Sequence, residues 1–192
     1  PEISIQNEKN WPPFNFNENG KPLGLSIDYM NLLAEKLGIK INYITGPSWN
    51  TFIAMMKNKE LDVILNIVKT EDREKYINFT EPYITNPNII VSSIESPYEN
   101  LQQLDGKIIA VPKGFFYVEI LKKYFPNIRR LLLRNSLECL KAVSLGKADA
   151  TLGEEAVSRY LIQQNMLTGL KISGEVHVGN KDIVNLRIGV RK

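Results

Sequence analysis

The apolar positions of the chain change period several times, and the changes outline alternating strands and helices. Ile3–Gln6 alternates apolar with polar residues, as a half-buried strand does. A Pro-rich loop, Trp11-Pro12-Pro13-Phe14, follows. Ile27, Met30, Leu33, Ala34 and Leu37 share one face of a helix expected from about Ser26 to Leu37. Ser26 is the expected N-cap, Asp28 suits the first turn, and Gly38 stops the helix. Ile41–Ile44 predicts a strand broken by Gly46-Pro47, after which Ser48 caps a second helix with Phe52, Met55 and Met56 inward. Leu61–Ile67 is an almost unbroken apolar run, the pattern of a central strand buried on both faces.

The second half repeats the scheme. Lys107–Pro112 predicts a strand, Gly114 leads to a helix through Val118, Leu121 and Phe125, and Leu131–Leu133 a further strand. Ser136 is placed as the cap of a helix carrying Leu137, Leu140 and Val143, and Ala148–Leu152 and Glu155–Gln163 give a strand and a helix. Lys59-Glu60-Leu61-Asp62 and Gly146-Lys147-Ala148-Asp149 echo each other at a helix-to-strand turn. The βαβ order predicts an α/β fold of two lobes, each a mostly parallel sheet flanked by helices. The lobes are expected at 1–85 with 181–192, and at 86–180. Strand-like Lys171–Val178 and Leu186–Val190 bring the chain back to the first lobe.

Composition narrows the function. The chain has 192 residues, 43% hydrophobic and 23% charged, which is ordinary for a globular protein and too apolar for disorder. Its net charge of +3 and lack of a long basic run give a weak nucleic-acid footprint, with Arg129-Arg130 only a local cluster. One cysteine, Cys139, excludes an internal disulfide and a Cys-rich zinc site. One histidine, His177, argues against His-based metal sites and most His-dependent catalysis. No metal or cofactor is implied. No apolar stretch approaches a membrane span, and the start at Pro1, without initiator Met or signal peptide, reads as a mature or excised domain.

In open parallel sheets ligands bind beyond the carboxyl ends of the strands. That rule selects the loops at 11–14, 46–49 and 66–73 in the first lobe, and 113–117, 135–136 and 153–155 in the second. If the lobes face each other, Arg73 and Glu154 supply opposite charges to one cleft, beside the only two tryptophans, Trp11 and Trp49. A guanidinium grips a carboxylate with paired hydrogen bonds, and a carboxylate accepts from an ammonium group, so a zwitterion suits both ends. Charge patterning alone leaves Arg73 equally readable as a solvated residue of the 70–75 stretch. Glu154 taken alone reads first as a carboxylate favoured by a helix N-terminus, and the tryptophans first as packing residues.

Several motifs occur in order along the chain: Gly24-Leu25-Ser26-Ile27-Asp28, Leu61-Asp62-Val63-Ile64-Leu65, Thr70-Glu71-Asp72-Arg73, Phe79-Thr80-Glu81-Pro82-Tyr83, Leu104-Asp105-Gly106-Lys107, Val111-Pro112-Lys113-Gly114 and Ala148-Asp149-Ala150. Together they resemble the family-3 extracellular solute-binding proteins, the periplasmic amino-acid-binding Venus flytrap domains. Asn66–Thr70 with Thr85-Asn86-Pro87 is most similar to members fused to bacterial sensor histidine kinases or diguanylate cyclases. The resemblance implies a type II two-lobe fold that closes on a small-molecule ligand, an amino acid or small carboxylate. It implies that Arg73 holds an α-carboxylate and Glu154 an α-ammonium. Trp11 would stack on the ligand side chain and Trp49 touch it, with Asn66, Val68, Thr70, Phe115 and Phe116 at ligand-contacting positions. Val68, Phe115 and Phe116 replace hydroxyl-bearing residues, which leaves backbone N–H groups as donors there.

The expectation is therefore an extracytoplasmic sensor domain, periplasmic or extracellular, coupled to a membrane-bound kinase or cyclase. A free solute-binding protein of an amino-acid importer is the alternative. An enzyme such as a cyclohexadienyl dehydratase needs an acid–base pair that the sequence does not offer beside Glu154. His177 is read as a surface or structural residue and Cys139 as a small buried hydrophobe.

Overall fold

The computed structural model describes residues 1–192, which form two compact units, Pro1–Thr85 with Asn185–Lys192 and Asn86–Val184. In chain order the strands of the first unit are β1 (Glu2–Asn7), β2 (Asn10–Trp11), β3 (Asn15–Glu18), β4 (Lys21–Leu23), β5 (Lys40–Thr45), β6 (Val63–Ile67), β7 (Ile77–Phe79) and β8 (Ile84–Thr85). Its helices are α1 (Leu25–Leu37) and α2 (Trp49–Lys57). The second unit holds β9 (Asn88–Ser93), β10 (Ile108–Pro112), α3 (Phe116–Tyr124), β11 (Arg129–Leu133), α4 (Ser136–Ser144), β12 (Ala150–Glu154), α5 (Glu155–Gln164) and β13 (Leu170–Glu175). The chain then returns as β14 (Asn185–Arg191).

The two main sheets are built alike. The first has the order β5-β1-β6-β14-β7 and the second β11-β10-β12-β9-β13. In each, a βαβαβ run supplies three parallel strands, and a strand from elsewhere in the chain pairs antiparallel with the last of them. The sheets are thus mixed rather than parallel throughout. The apolar runs of β6 and β12 are buried at every residue because each strand is flanked on both edges. Ile5, Ile27, Met30, Val63, Leu65 and Ile188 form one core; Ala110, Cys139, Ala142, Val143 and Ala148 form part of the other. Each fully buried Ile or Leu contributes about 1.5–3 kcal/mol.

The echo at Asp62 and Asp149 has a shared structural cause. Each aspartate stands just before the central strand and caps the start of its parallel neighbour. Asp62 Oδ2 accepts from the Ser4 N–H and hydroxyl, both at 2.8 Å, and Asp149 Oδ2 accepts from the Ile108 N–H at 2.7 Å. Asp62 also takes Arg191 Nε at 2.7 Å.

Some local expectations need correction. Ser26 does not cap α1. The first N–H groups of that helix reach main-chain carbonyls instead, Leu25 to Pro13 and Ser26 to Phe14. Gly24 allows this approach, since a Cβ there would run into the Phe14 carbonyl. The Ser26 side chain is therefore free to turn inward. Ser48 does cap α2, but Asn135 rather than Ser136 caps α4, accepting from the Glu138 N–H. In α2 the inward residues are Phe52, Ile53 and Met56, with Met55 only half-buried. Trp11 lies on a small antiparallel sheet, β2-β3-β4, rather than in a loop, and Trp49 is the first residue of α2. Strand β13 ends at Glu175, which leaves His177 on the surface, 3.3 Å from the Glu175 carboxylate.

The donors around Asp62 hold its carboxyl below the usual range, chiefly the Ser4 N–H. A depressed carboxyl stabilises the fold above its unfolded value, and the benefit is lost as pH falls through the folded one. Asp62→Asn is expected to lower unfolding free energy at pH 7 by about 1 kcal/mol. It should also flatten the loss of stability below pH 3.8 in urea melts taken at stepped pH.

Candidate functional site

In the first unit the carboxyl end of β6 runs directly into a turn that carries Arg73. The Arg73 guanidinium is 2% exposed, so the side chain is not a solvated member of the charged stretch around it. Its Nη1 donates to the Val68 carbonyl at 2.8 Å, and its Cζ lies 6.0 Å from the centroid of the Trp49 ring. The main-chain N–H of Arg73 donates to Thr70 Oγ1 at 3.3 Å, which fixes the turn. Val68 therefore seats the guanidinium, and Trp49 offers a π face near it.

Asn66, the fourth residue of β6, has φ 57°, a left-handed conformation that asparagine tolerates better than most residues. Its Nδ2 donates to Ser26 Oγ at 2.7 Å, and Tyr83 donates to the same oxygen at 2.9 Å. Asn66 Oδ1 is buried without a hydrogen-bond partner, as is Trp11 Nε1. Trp11 packs against Phe14, ring centroids 5.4 Å apart.

Beside them stands a residue the sequence reading passed over. Glu8 follows β1, where Gln6 Nε2 donates to its carboxyl at 2.9 Å and its N–H donates to Asn15 Oδ1. The residue is half-buried, and desolvation pushes its carboxyl up to about 7 against the pull of Gln6. Gln6 Oε1 accepts from the Leu65 N–H at 3.0 Å, which ties this corner to β6 one residue before Asn66. The signal was available: an acid immediately beyond an alternating strand falls under the same carboxyl-end rule.

In the second unit Glu154 is the last residue of β12 and directly precedes α5. It is 3% exposed, makes no side-chain cap to the helix, and leaves Oε2 without a partner. It is therefore not a solvated helix-end carboxylate. Burial raises its pKa to about 7, opposed by its own N–H and by the Tyr117 hydroxyl. Phe115 is half-buried at the N-cap of α3. Phe116 is core, its ring 4.2 Å from that of Tyr117, so its aromatic mass supports Tyr117 from behind.

Each unit thus places a buried ionisable group at the carboxyl end of its central strand, the arrangement of a ligand-binding α/β domain. A protein-family model described as bacterial extracellular solute-binding proteins, family 3, matches residues 3–185, and the chain belongs to that family. The family fold is the two-lobed periplasmic-binding-protein type, on the extracytoplasmic side. Among its relatives is the virulence sensor protein BvgS of Bordetella pertussis, 23% identical over 167 residues, 87% of this chain and 14% of that protein. Another is the arginine-binding extracellular protein ArtP of Bacillus subtilis, 26% identical over 81% of this chain and 62% of that one. The crystal structure of a histidine kinase sensor domain similar to periplasmic binding proteins superposes with a TM-score of 0.88 at 23% identity, covering 100% of this chain and 82% of the other. These relatives are binding and sensor proteins, and the chain spans about a seventh of BvgS.

The raised Glu154 carboxyl has a sign that can be checked. A carboxyl raised on folding penalises the native state wherever the unfolded chain has already lost its proton, so stability falls as pH climbs from about 4.5 to about 7. Glu154→Gln removes that penalty. Denaturant melts should show the variant more stable than wild type at pH 8, by up to roughly 3 kcal/mol, with the gap closing below pH 4.5.

Proposed function

We propose that this chain is the ligand-binding sensor domain of a membrane-bound signalling protein, a kinase or cyclase, and that its ligand is an amino acid. The observation that carries this reading is Glu154: an enclosed acid with an oxygen left unpartnered, at the end of a buried strand. A ligand ammonium would supply the missing partner, and Arg73 would hold the carboxylate of the same molecule. Trp11 and Trp49 would face its side chain. Asn66, Val68 and Thr70 shape the first-unit end, Phe115 borders the second, and Phe116 acts through Tyr117. Glu8, an acid without a cation beside Trp11's strand, makes a basic amino acid the first choice to test.

A bound ligand would favour one state of the domain, and the attached module would read that state. Such signalling requires the ligand to prefer one state over another, since equal affinity shifts nothing. The kinship with ArtP supports a second reading, a free solute-binding protein of an importer. The parent sequence separates the two: a membrane helix and kinase module mean a sensor, a stand-alone secreted chain means transport.

A thermal-shift screen followed by calorimetry tests the binding role with L-arginine, L-lysine, L-glutamine, L-glutamate and small dicarboxylates. A ligand should raise the melting temperature. Arg73→Ala and Glu154→Ala should each weaken binding about 10- to 100-fold, the loss of a charge-assisted contact of roughly 1.5–3 kcal/mol. Because an ammonium needs the ionised acid, affinity should fall about tenfold per pH unit below 7. A ligand bound equally well by both variants would overturn the site, and silence across the panel would overturn the amino-acid reading.

A further inference from the structure

One stretch of the second unit gathers cations without acids. Residues 120–137 hold Lys122, Lys123, Arg129, Arg130 and Arg134 and no aspartate or glutamate, in a chain whose net charge is only +3. The fold brings the first four together. Helix α3 ends at Tyr124, and a tight turn leads straight into β11: the Phe125 N–H donates to the Leu121 carbonyl and the Ile128 N–H to the Phe125 carbonyl. Lys122 and Lys123, in the last turn of α3, therefore stand beside Arg129 and Arg130 at the start of β11. Strand β11 is the outer strand of its sheet, paired only with β10. Leu131 and Leu133 pack on the α4 core, so alternation turns Arg130 and Leu132 to the other face.

These four cations are exposed, and no carboxylate pairs with them, Glu119 one turn back on α3 included. Other surface cations are paired: Lys57 and Lys75 with Asp72, Lys69 with Glu74, Arg159 with Glu155. Arg130 Nη1 donates to the Ile128 carbonyl at 3.3 Å, which holds the guanidinium over the turn. Apolar groups stand among the charges. Tyr124 is 54% exposed, with Lys123 Nζ 5.1 Å from its ring centroid, and Leu132 is 41% exposed. Charge on an outer strand keeps it from pairing with a further strand, and Arg129 and Arg130 serve that purpose. That purpose does not account for Lys122, Lys123 and Tyr124, which belong to a helix. A second copy seated edge to edge would set these cations against one another. A layer of lipid phosphates suits all of them at once. Lys and Arg reach such a layer on apolar stems, a tyrosine ring is at home at headgroup level, and a neighbouring leucine gains by entering the acyl boundary. A dissolved polyanion would use the cations and leave Tyr124 and Leu132 in water.

We propose that the edge formed by the end of α3 and by β11 is a docking surface for an anionic phospholipid membrane. It shares no residue with the candidate ligand site, and amino-acid binding is measured without lipid, so neither result decides the other. Co-sedimentation of the domain with large vesicles tests it, comparing equal parts phosphatidylglycerol and phosphatidylcholine with phosphatidylcholine alone. The domain should sediment with the mixed vesicles only, and less as salt rises to about 0.15 M. Each cation at a lipid surface is worth about fivefold in affinity. Lys122→Gln with Lys123→Gln, and Arg129→Gln with Arg130→Gln, should therefore each weaken binding roughly 25-fold. Tyr124→Ser should weaken it several-fold with no change of charge. Lys36→Gln with Lys40→Gln removes the same charge from exposed positions of the first unit and should leave binding unchanged. An equal loss in that control would show a diffuse attraction of net charge and overturn the proposal. Binding to phosphatidylcholine alone as tight as to the mixture overturns it too, as does no sedimentation with either vesicle, an arm that needs no variant. Heparin binding that responds to the same charge substitutions while the vesicles stay unbound would assign the edge to a soluble polyanion instead.

Discussion

Placing a carboxyl group at the buried end of β12 sets the terms for the rest of the second unit. Removing a carboxylate from water costs several kcal/mol unless it is paired or gives up its charge. Glu154 has no cation against it in its own unit, and burial pushes its carboxyl up toward the protonated form. The strand cannot move the group outward, because β12 is paired on both edges and buried along its length. Nor does the following helix relieve it, since α5 begins at the next residue without using the side chain as a cap. What surrounds the acid is instead an aromatic wall, Phe116 on Tyr117, with the tyrosine hydroxyl donated to Asn88.

The first unit meets the opposite problem with a different chemistry. An arginine does not shed its proton under any ordinary condition, so a buried guanidinium has to be furnished with acceptors. Here the backbone supplies them. The turn after β6 folds back so that the Val68 carbonyl meets Nη1, Thr70 fixes the turn, and the Trp49 face lies alongside. The two units therefore hold charge in unlike ways. One keeps a permanent cation in a fixed seat, and the other keeps an acid whose charge depends on its company. A ligand carboxylate would meet a preformed partner in the first, whereas an ammonium at the second would first have to take the place of a proton.

The features written in local sequence were the ones with a period. Runs such as Leu61–Ile67 and the helical faces of α1, α4 and α5 follow directly from where apolar residues recur, and the α/β class follows from their order. Elements that depend on distant partners were not written there. The strands of the β2-β3-β4 sheet are two to four residues long, too short to show an alternation. Strand β9 takes its register from β12 and β13, some sixty to eighty residues on. Ser26 has the chemistry of a cap, yet the carbonyls of Pro13 and Phe14 took that role and left its hydroxyl to Asn66 and Tyr83. At the candidate site, opposite charges were legible as residue types, but burial decides what they are. Charge patterning could not separate a solvated Arg73 from an enclosed one, and the enclosure of Glu8 comes from Gln6 and Asn15, which no periodicity brings together.

The shared sheet order explains why a candidate binding residue and a chain crossover lie so close in each unit. In both sheets the central strand stands between the parallel half, β5-β1 or β11-β10, and the antiparallel half begun by β14 or β9. Ligand loops belong to the parallel half, because its strands end on one side and lead into helices. The antiparallel neighbour is the strand that arrives from, or leaves for, the other unit, since β9 opens at residue 88 and β14 at residue 185. The central strand is the one element bonded to both. A group at its carboxyl end is thus one hydrogen bond from a loop that meets solvent and one from a segment that joins the units, as Glu154 is to Asn88 across the β12–β9 ladder. The topology that buries the strand has already put the two side by side.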